Sequence, residues 1–517
     1  MNTPPITLDR TRPTAGDAIE LDQVQRRIVA HRQGPLRVIA GPGTGKTATL
    51  VEAIVDRLSG QDALRPDQIL GLTFGRKAAA EWRDRVTARV GGGVVPQIMT
   101  FHSFAYSIVA RFTALDGEPP LRLLSGAEEE AAIRQQIIGS RVEGLVAWPE
   151  AFGDALNTNG MAKEVRALFA KAREHGIEDV DLARMASEHE RPEWRAAAEF
   201  MRQYLNALAL SGRTDYTELI AHANDLLLEP EHRAEVTGEL KAIFVDEYQD
   251  TDPAQVALLQ QLVTPQTSLI VVGDPDQAIY AFRGADVRGI IDFPDTFRTM
   301  DGAPAPTEVL NTTRRFGSNI REAATALLGT RAVPSMSQEA LYEHRHPSTA
   351  AKDPGSVIAQ TFLTEATRAD AIANQVRRWR AETECDWSQI AIIVRAARDM
   401  RDLRRALAFA GIPASIAPED TLLHEEPIVA PLVLALELIS RKAPIDAASA
   451  QHLLTSWIVG ADVAELRRLG RALRAAWRTA YPNEALPSSP QLLADALERP
   501  VDVLGLVSER EHGEVVT

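Results

Sequence analysis

The chain has 517 residues, more than one compact domain accommodates, so several domains are expected. It is 45% hydrophobic and 25% charged, without low-complexity tracts, which excludes a fibrous or wholly disordered chain. A formal charge of −15 argues against a basic coat that binds nucleic acid everywhere, though not against a local groove. The single cysteine, Cys385, excludes an intramolecular disulfide or a four-cysteine metal site and reads as an ordinary thiol near the surface.

Residues 1–19 are rich in Pro and Thr and are expected to be flexible. They lack the apolar stretch of a signal sequence, and no later segment has eighteen clean apolar residues. A cytoplasmic chain with no membrane span is expected. PLRVIA (35–40) reads as a buried strand and runs through GPGTG into KTATLVEAIVDRL, which has helical spacing. QILGLTF (68–74), IMTF (98–101), LKAIFVDE (240–247) and SLIVVGD (268–274) read as further strands. Apolar strands separated by helices predict an α/β fold, a parallel sheet covered on both faces. Residues 105–235 carry mostly helical patterns and read as an insertion between strands of that sheet. After a linker at 296–306, EVLN, SVIAQTF and IAIIVR alternate with helical segments and predict a second α/β unit. From about residue 424 only helical patterns remain.

AGPGTGKT (40–47) fits the phosphate-binding loop pattern. Across Ala40, Gly41, Pro42, Gly43, Thr44 and Gly45, the glycines permit backbone turns that aim N–H groups at phosphate oxygens. Lys46 supplies charge at the β- and γ-phosphates, and Thr47 offers a hydroxyl to Mg²⁺; Ala48 follows in the first helical turn. IFVDEYQD (243–250) ends an apolar strand on two adjacent carboxylates, which repel each other unless a cation relieves them. Beside a phosphate loop that cation is the Mg²⁺ of ATP: Asp246 would hold the metal, and Glu247 would position and deprotonate the attacking water.

VDEYQDTDPAQ resembles motif II of the UvrD/Rep/PcrA group of superfamily 1 DNA helicases. Further blocks follow in the group's order over residues 21–440. LDQVQ resembles the Q motif, LTFGRKAAAEWRDRV motif Ia, TFHSFA motif Ib, VVGDPDQAIYAFRGAD motif III and VLNTTRRFGSNI motif IV. The resemblance implies RecA-like P-loop domains with helical insertions. The implied layout is a first ATPase domain at 20–104 and 214–298, a helical insertion at 105–213, the first part of a second RecA-like domain at 299–423, and the start of a further helical domain at 424–517. It implies Gln25 as the adenine reader, Gln277 as a γ-phosphate contact, and Arg315 as an arginine that reaches the γ-phosphate from a second domain. It implies single-stranded or duplex-end DNA as partner, contacted by Phe74, Phe101, His102, Tyr280, Phe282 and Arg283. Aromatics beside arginine suit that task because bases stack on rings while guanidinium pairs with phosphate. ATP-driven 3′→5′ movement in DNA repair or recombination is the implied activity.

There are departures. Motif IV commonly reads Asn-Tyr-Arg-Ser, whose Tyr stacks on adenine; here Thr313, Arg314, Arg315 and Phe316 stand there, so Arg314 is the candidate to stack on the base. RPEW (191–194), DPDQAIYAFRGADVRGI and TTRRFG look more like the actinobacterial AdnA/AdnB helicase–nuclease motors, which implies a second helicase–nuclease subunit as partner. Motifs V and VI and a RecB-type nuclease pattern are not found after residue 440. Two readings stay open: the N-terminal part of a longer motor, or a nucleotide-gated DNA-binding subunit with little turnover.

Overall fold

The computed structural model describes residues 19–60, 62–91, 95–115, 121–279, 286–329, 332–396, 399–415, 428–441 and 445–500. The chain divides into two compact units, residues 1–359 and 360–517. In the first, helix α1 (Gln23–Ala30) precedes strand β1 (Gly34–Ala40), and α2 (Lys46–Arg57) follows it. Then come β2 (Ile69–Thr73), α3 (Arg76–Val90), β3 (Gln97–Thr100) and α4 (Phe101–Leu115).

The helical insertion is pinched at its neck by two short parallel strands, β4 (Arg122–Leu123) and β5 (Arg213–Thr214). Between them lie α5 (Gly126–Glu143), α6 (Asn159–Glu174), α7 (Asp179–Glu188) and α8 (Pro192–Leu210). These helices have a core of their own around Ile133, Phe169, Phe200 and Tyr204. The insertion therefore begins near residue 122 rather than at 105. Helix α4 buries Phe104, Ile108 and Phe112 in the sheet's core, because its apolar residues recur at helical spacing on one face.

The chain then returns through α9 (Tyr216–Leu226) and α10 (Pro230–Thr237) to β6 (Ala242–Val245), α11 (Pro253–Leu262), β7 (Ser268–Gly273), α12 (Arg288–Thr296) and β8 (Thr307–Leu310). The six strands form one parallel sheet in the order β3-β2-β6-β7-β1-β8. Side chains alternate between its faces: Ile243 and Val245 enter one core cluster, and Ala242 and Phe244 the other. Both faces are covered, as expected for apolar strands joined by helical crossovers.

One expectation is overturned. The sequence pattern puts EVLN in a second α/β unit, yet Thr307–Leu310 pairs with β1 in parallel register as the outer strand of the first sheet. The segments before and after the 296–306 linker therefore share one sheet. Short strands β9 (Thr312–Thr313) and β10 (Ser348–Thr349) pair beyond it, and α13 (Ser318–Leu328) and α14 (Gln338–Arg345) complete the unit.

In the second unit, helices α15 (Glu365–Thr383), α16 (Met400–Phe409), α17 (Ala430–Arg441), α18 (Ala447–Thr455), α19 (Val463–Ala480) and α20 (Ser489–Glu498) are present. Among the described residues SVIAQTF and IAIIVR form no strand, so the expected second sheet is not formed there. No helix among the described residues is long and apolar enough to cross a membrane.

Candidate functional site

The site lies where β1, β6 and β7 end, the edge at which a parallel sheet presents loops and helix N-termini to ligands. After β1 the chain turns through Gly41–Gly45 into α2. Gly43 and Gly45 have φ of 75° and 94°, in the left-handed region that glycine alone enters freely. Side chains there would also collide with their surroundings. A Cβ on Gly43 would meet Thr313 Oγ1 at 2.7 Å and the Arg315 side chain, and one on Gly45 would meet Gln25 Nε2 at 2.9 Å. Gln25, Thr313 and Arg315 thus pack on the phosphate loop. The first turn of α2 carries free backbone N–H groups, a ready anion site.

Strand β6 delivers the two carboxylates. Asp246 N still donates to Leu72 O at 2.9 Å, so the ladder holds its backbone. Its side chain accepts from Thr47 Oγ1 at 2.9 Å and from Glu247 N at 3.0 Å. Burial, with the neighbouring Glu247 charge, pushes the Asp246 carboxyl up to about 6. Glu247 adopts φ 53°, a left-handed conformation that costs a non-glycine residue roughly 1–2 kcal/mol. The turn aims Glu247 Oε2 at Lys46 Nζ, 3.2 Å away. Thr47 and Asp246 thus converge as a hydroxyl and a carboxylate, the hard oxygen donors that Mg²⁺ takes.

Sequence reasoning missed what holds these groups. Gln249 is 1% exposed; its amide donates to Glu247 Oε2 at 2.7 Å and accepts from Asp274 N at 2.9 Å. A Cβ on Gly273 would lie 2.6 Å from Gln249 Oε1, so glycine is needed for this approach. Asp274, just past β7, accepts from Gln277 Nε2 at 2.5 Å. Lys46, Glu247, Gln249, Asp274 and Gln277 therefore form one connected chain across three strand ends. Gln249 was visible in DEYQD, but nothing in local spacing reveals a contact 25 residues away in sequence.

Of the nucleotide residues expected from sequence, Gln25 is 3% exposed, with its amide engaged by Asp22 N at 3.0 Å and Thr49 Oγ1 at 3.2 Å. Arg314 donates to Asp22 Oδ2 at 2.9 Å and to Thr44 O at 3.3 Å, which places its guanidinium beside the phosphate loop. Arg315 is exposed, and its backbone follows β8 and β9. It does not come from a second domain: β8 belongs to the sheet that carries the phosphate loop, and residues 1–359 are one unit. Ala40 ends β1 fully buried, and Ala48 lies in the first turn of α2.

A cleft of about 420 Å³ lies nearby, lined by Phe74, Arg76, His102, Tyr106 and Tyr216. Burial, with the adjacent Arg76 charge, pulls the His102 imidazole down to about 4, so it is a neutral ring near pH 7. His102 meets Tyr216 edge-on with centroids 5.3 Å apart, and Arg76 donates to the Tyr216 hydroxyl at 3.1 Å. Tyr216 and Arg76 were not expected here. Phe101 is corrected: at 3% exposure it is a core side chain, turned into the sheet packing, with no face for a base. Tyr280, Phe282 and Arg283 lie outside the described residues.

Residues 21–298 match the family described as the UvrD/REP helicase N-terminal domain. The ATP-dependent DNA helicase UvrD1 of Mycobacterium bovis is 28% identical over 458 residues, covering 84% of this chain and 54% of the relative. The ATP-dependent DNA helicase PcrA of Leuconostoc citreum is 27% identical over 403 residues, covering 77% and 49%. DNA helicase II of Rickettsia typhi is 26% identical over 412 residues, covering 77% and 56%. The chain spans about half the length of these relatives.

Proposed function

The chain belongs to the UvrD/REP helicase family, and we propose that it is the ATP-hydrolysing part of a DNA helicase or translocase. The observation that carries this is the convergence of Lys46, Thr47, Asp246 and Glu247 at the ends of β1 and β6. In this reading the α2 N-terminus and Lys46 bind the triphosphate. Thr47 and Asp246 hold Mg²⁺, which supplies charge neutralisation at the phosphates. A γ-phosphate draws Lys46 off Glu247, whose carboxylate then takes a proton from the attacking water, held in orientation by Gln249. Arg315, exposed beside Gly43, reaches the γ-phosphate; an arginine in this role contributes about 10³–10⁵ in rate. Arg314 lies beside Gly45 as a planar surface for the base.

The cleft of Phe74, His102, Tyr106 and Tyr216 fits single-stranded DNA, with rings for bases and Arg76 for phosphate. The relatives' names support DNA as the substrate, and the motif resemblance adds 3′→5′ movement in repair or recombination as an expectation. The narrower reading, a motor subunit of a two-subunit helicase–nuclease, rests on the RPEW, DPDQAIYAFRGADVRGI and TTRRFG segments alone. A second reading is a nucleotide-gated DNA-binding subunit with little turnover of its own. It is favoured by the IAIIVR segment of the second unit, which pairs with no strand among the described residues.

Steady-state ATPase of the purified 517-residue chain, with and without single-stranded DNA, tests this directly. The motor reading expects DNA-stimulated turnover that falls by about 10²–10⁴ in Glu247→Gln. ATP binding without stimulated turnover selects the gated binding subunit, and absence of ATP binding sinks both.

A further inference from the structure

We propose that His344 is a positioning residue that holds the Gln277 side chain through Asp274, which makes helix α14 part of the nucleotide-response machinery. The proposal rests on the reading of Gln277 as a γ-phosphate contact. Helix α14 is unusual in what it buries. Tyr342 is 63% exposed, whereas the two cationic residues at its end, His344 and Arg345, are 4% and 7% exposed. Burying cations is costly unless each is paired, and here each is. His344 Nε2 lies 3.1 Å from Asp274 Oδ1 and 3.4 Å from Asp276 Oδ2, and Arg345 grips Asp276 with two bonds of 2.7 Å. Burial alone would pull the imidazole down; the two carboxylates overcome it and raise it to about 9, so it is a cation near pH 7.

The donor atoms of Asp274, Asp276 and His344 lie within 4.8 Å of one another, close enough to consider a metal ion. Charge decides against it. Two carboxylates already face two cations, and Arg345 occupies both oxygens of Asp276. A divalent ion would add two positive charges to a balanced cluster. The arrangement is an ion-pair network with a mechanical use.

That use follows from its neighbours. One carboxylate oxygen of Asp274 takes His344 and the other takes Gln277, so the imidazole fixes the acceptor that fixes the Gln277 amide. The opposite edge of His344 faces the phosphate loop: its Cε1 and Nδ1 lie 3.8 and 3.9 Å from where a Cβ on Gly41 would stand. Nδ1 is buried without a hydrogen-bond partner on that side. His344 therefore lies between the loop that binds phosphate and the loop that senses it. A shift at Gly41 is transmitted by contact to Asp274, and from there to Gln277 and, through Gln249, to Glu247.

The test is discrimination between ADP and a non-hydrolysable ATP analogue, read as the ratio of their Kd values on the full chain with Mg²⁺. It needs no turnover. Gln277→Ala is expected to lower the ratio about tenfold, the size of one hydrogen bond to a charged group. His344→Ala is expected to lower it roughly fivefold or more, and the double variant no further than Gln277→Ala alone, because both act on one contact. His344→Gln, which keeps a donor toward Asp274, retains part of the discrimination. If His344→Ala does not fold, Asp274→Asn takes its place, with the same non-additivity expected against Gln277→Ala. A purely structural His344 would lower melting temperature and weaken both nucleotides equally, leaving the ratio unchanged; that result, or additive losses in the double variant, overturns the proposal while the Gln277 reading stands. An unchanged ratio in Gln277→Ala removes the Gln277 reading, and the proposal with it.

Discussion

Two stretches of this chain are nearly the same in sequence and opposite in fate. AIFV at 242–245 is strand β6, with all four residues buried. AIIV at 391–394 forms no strand, and Ile392 and Ile393 are 36% and 92% exposed. Both are apolar, β-branched or aromatic, and flanked by helical segments, so local propensity ranks them together. The difference is the neighbour. Strand β6 has β2 on one side and β7 on the other, which satisfy its backbone groups while helices cover both faces. The 391–394 segment has no strand partner among the described residues, and beside it lies an apolar cleft of about 680 Å³ lined by Trp387, Ile392, Leu403 and Leu407. A strand is a relation between segments, and an apolar run supplies one side of it.

The sharpest way to break this comparison is to truncate both stretches. Phe244→Ala is expected to destabilise the first unit by about 3–5 kcal/mol, seen as a lower denaturant midpoint, because it empties a fully buried position. Ile393→Ala is expected to change stability by about 0.5 kcal/mol or less. Equal losses would mean that 391–394 is buried in solution. Hydrogen exchange should agree, with slow amides at 242–245 and fast ones at 391–394.

A smaller effect is expected one strand away. Gly273→Ala places a methyl 2.6 Å from both Gln249 Oε1 and Ile290 Cδ1, overpacking that costs about 1–3 kcal/mol. Because Gln249 is displaced from Glu247, turnover should fall more than ATP affinity; a loss in affinity alone would remove Gln249 from the working network.

The smallest concerns the helical insertion, whose core is separate from the sheet's. Glu174 is the last residue of α6, where carbonyl ends disfavour negative charge, and its buried Oε2 has only Lys171 Nζ near it, at 3.6 Å, too long for a hydrogen bond. Burial, then the Asp252 charge, raises its carboxyl to about 7 against the pull of Lys171. A carboxyl raised on folding binds a proton that the unfolded chain has released. Its contribution is present below the unfolded value near 4.5 and is lost as pH rises through about 7. Glu174→Gln should therefore flatten the fall in melting temperature from pH 5 to 8 and raise it at pH 8 by about 2 °C. An unchanged slope would place the titration elsewhere.

The residues that meet at the candidate site were largely legible in the sequence because their signals are local. The phosphate loop needs small residues in a row, and the acids need only to end a strand; Lys46, Thr47, Asp246 and Glu247 could be named from spacing. The parallel α/β class followed from apolar runs alternating with helical ones. Tertiary structure alone decided the rest. It moved the EVL of EVLN into the first sheet and set Arg315 just beyond it, against the phosphate loop, because pairing with β1 is a contact across some 270 residues of sequence. It turned Phe101 into the core and brought Tyr216 and Arg76 to the cleft instead. It joined Gln249, Asp274 and His344 into one line behind Glu247. Spacing reports which residues share a turn or a face, and burial and hydrogen bonding across the sheet are settled by which segments lie side by side once the chain has folded.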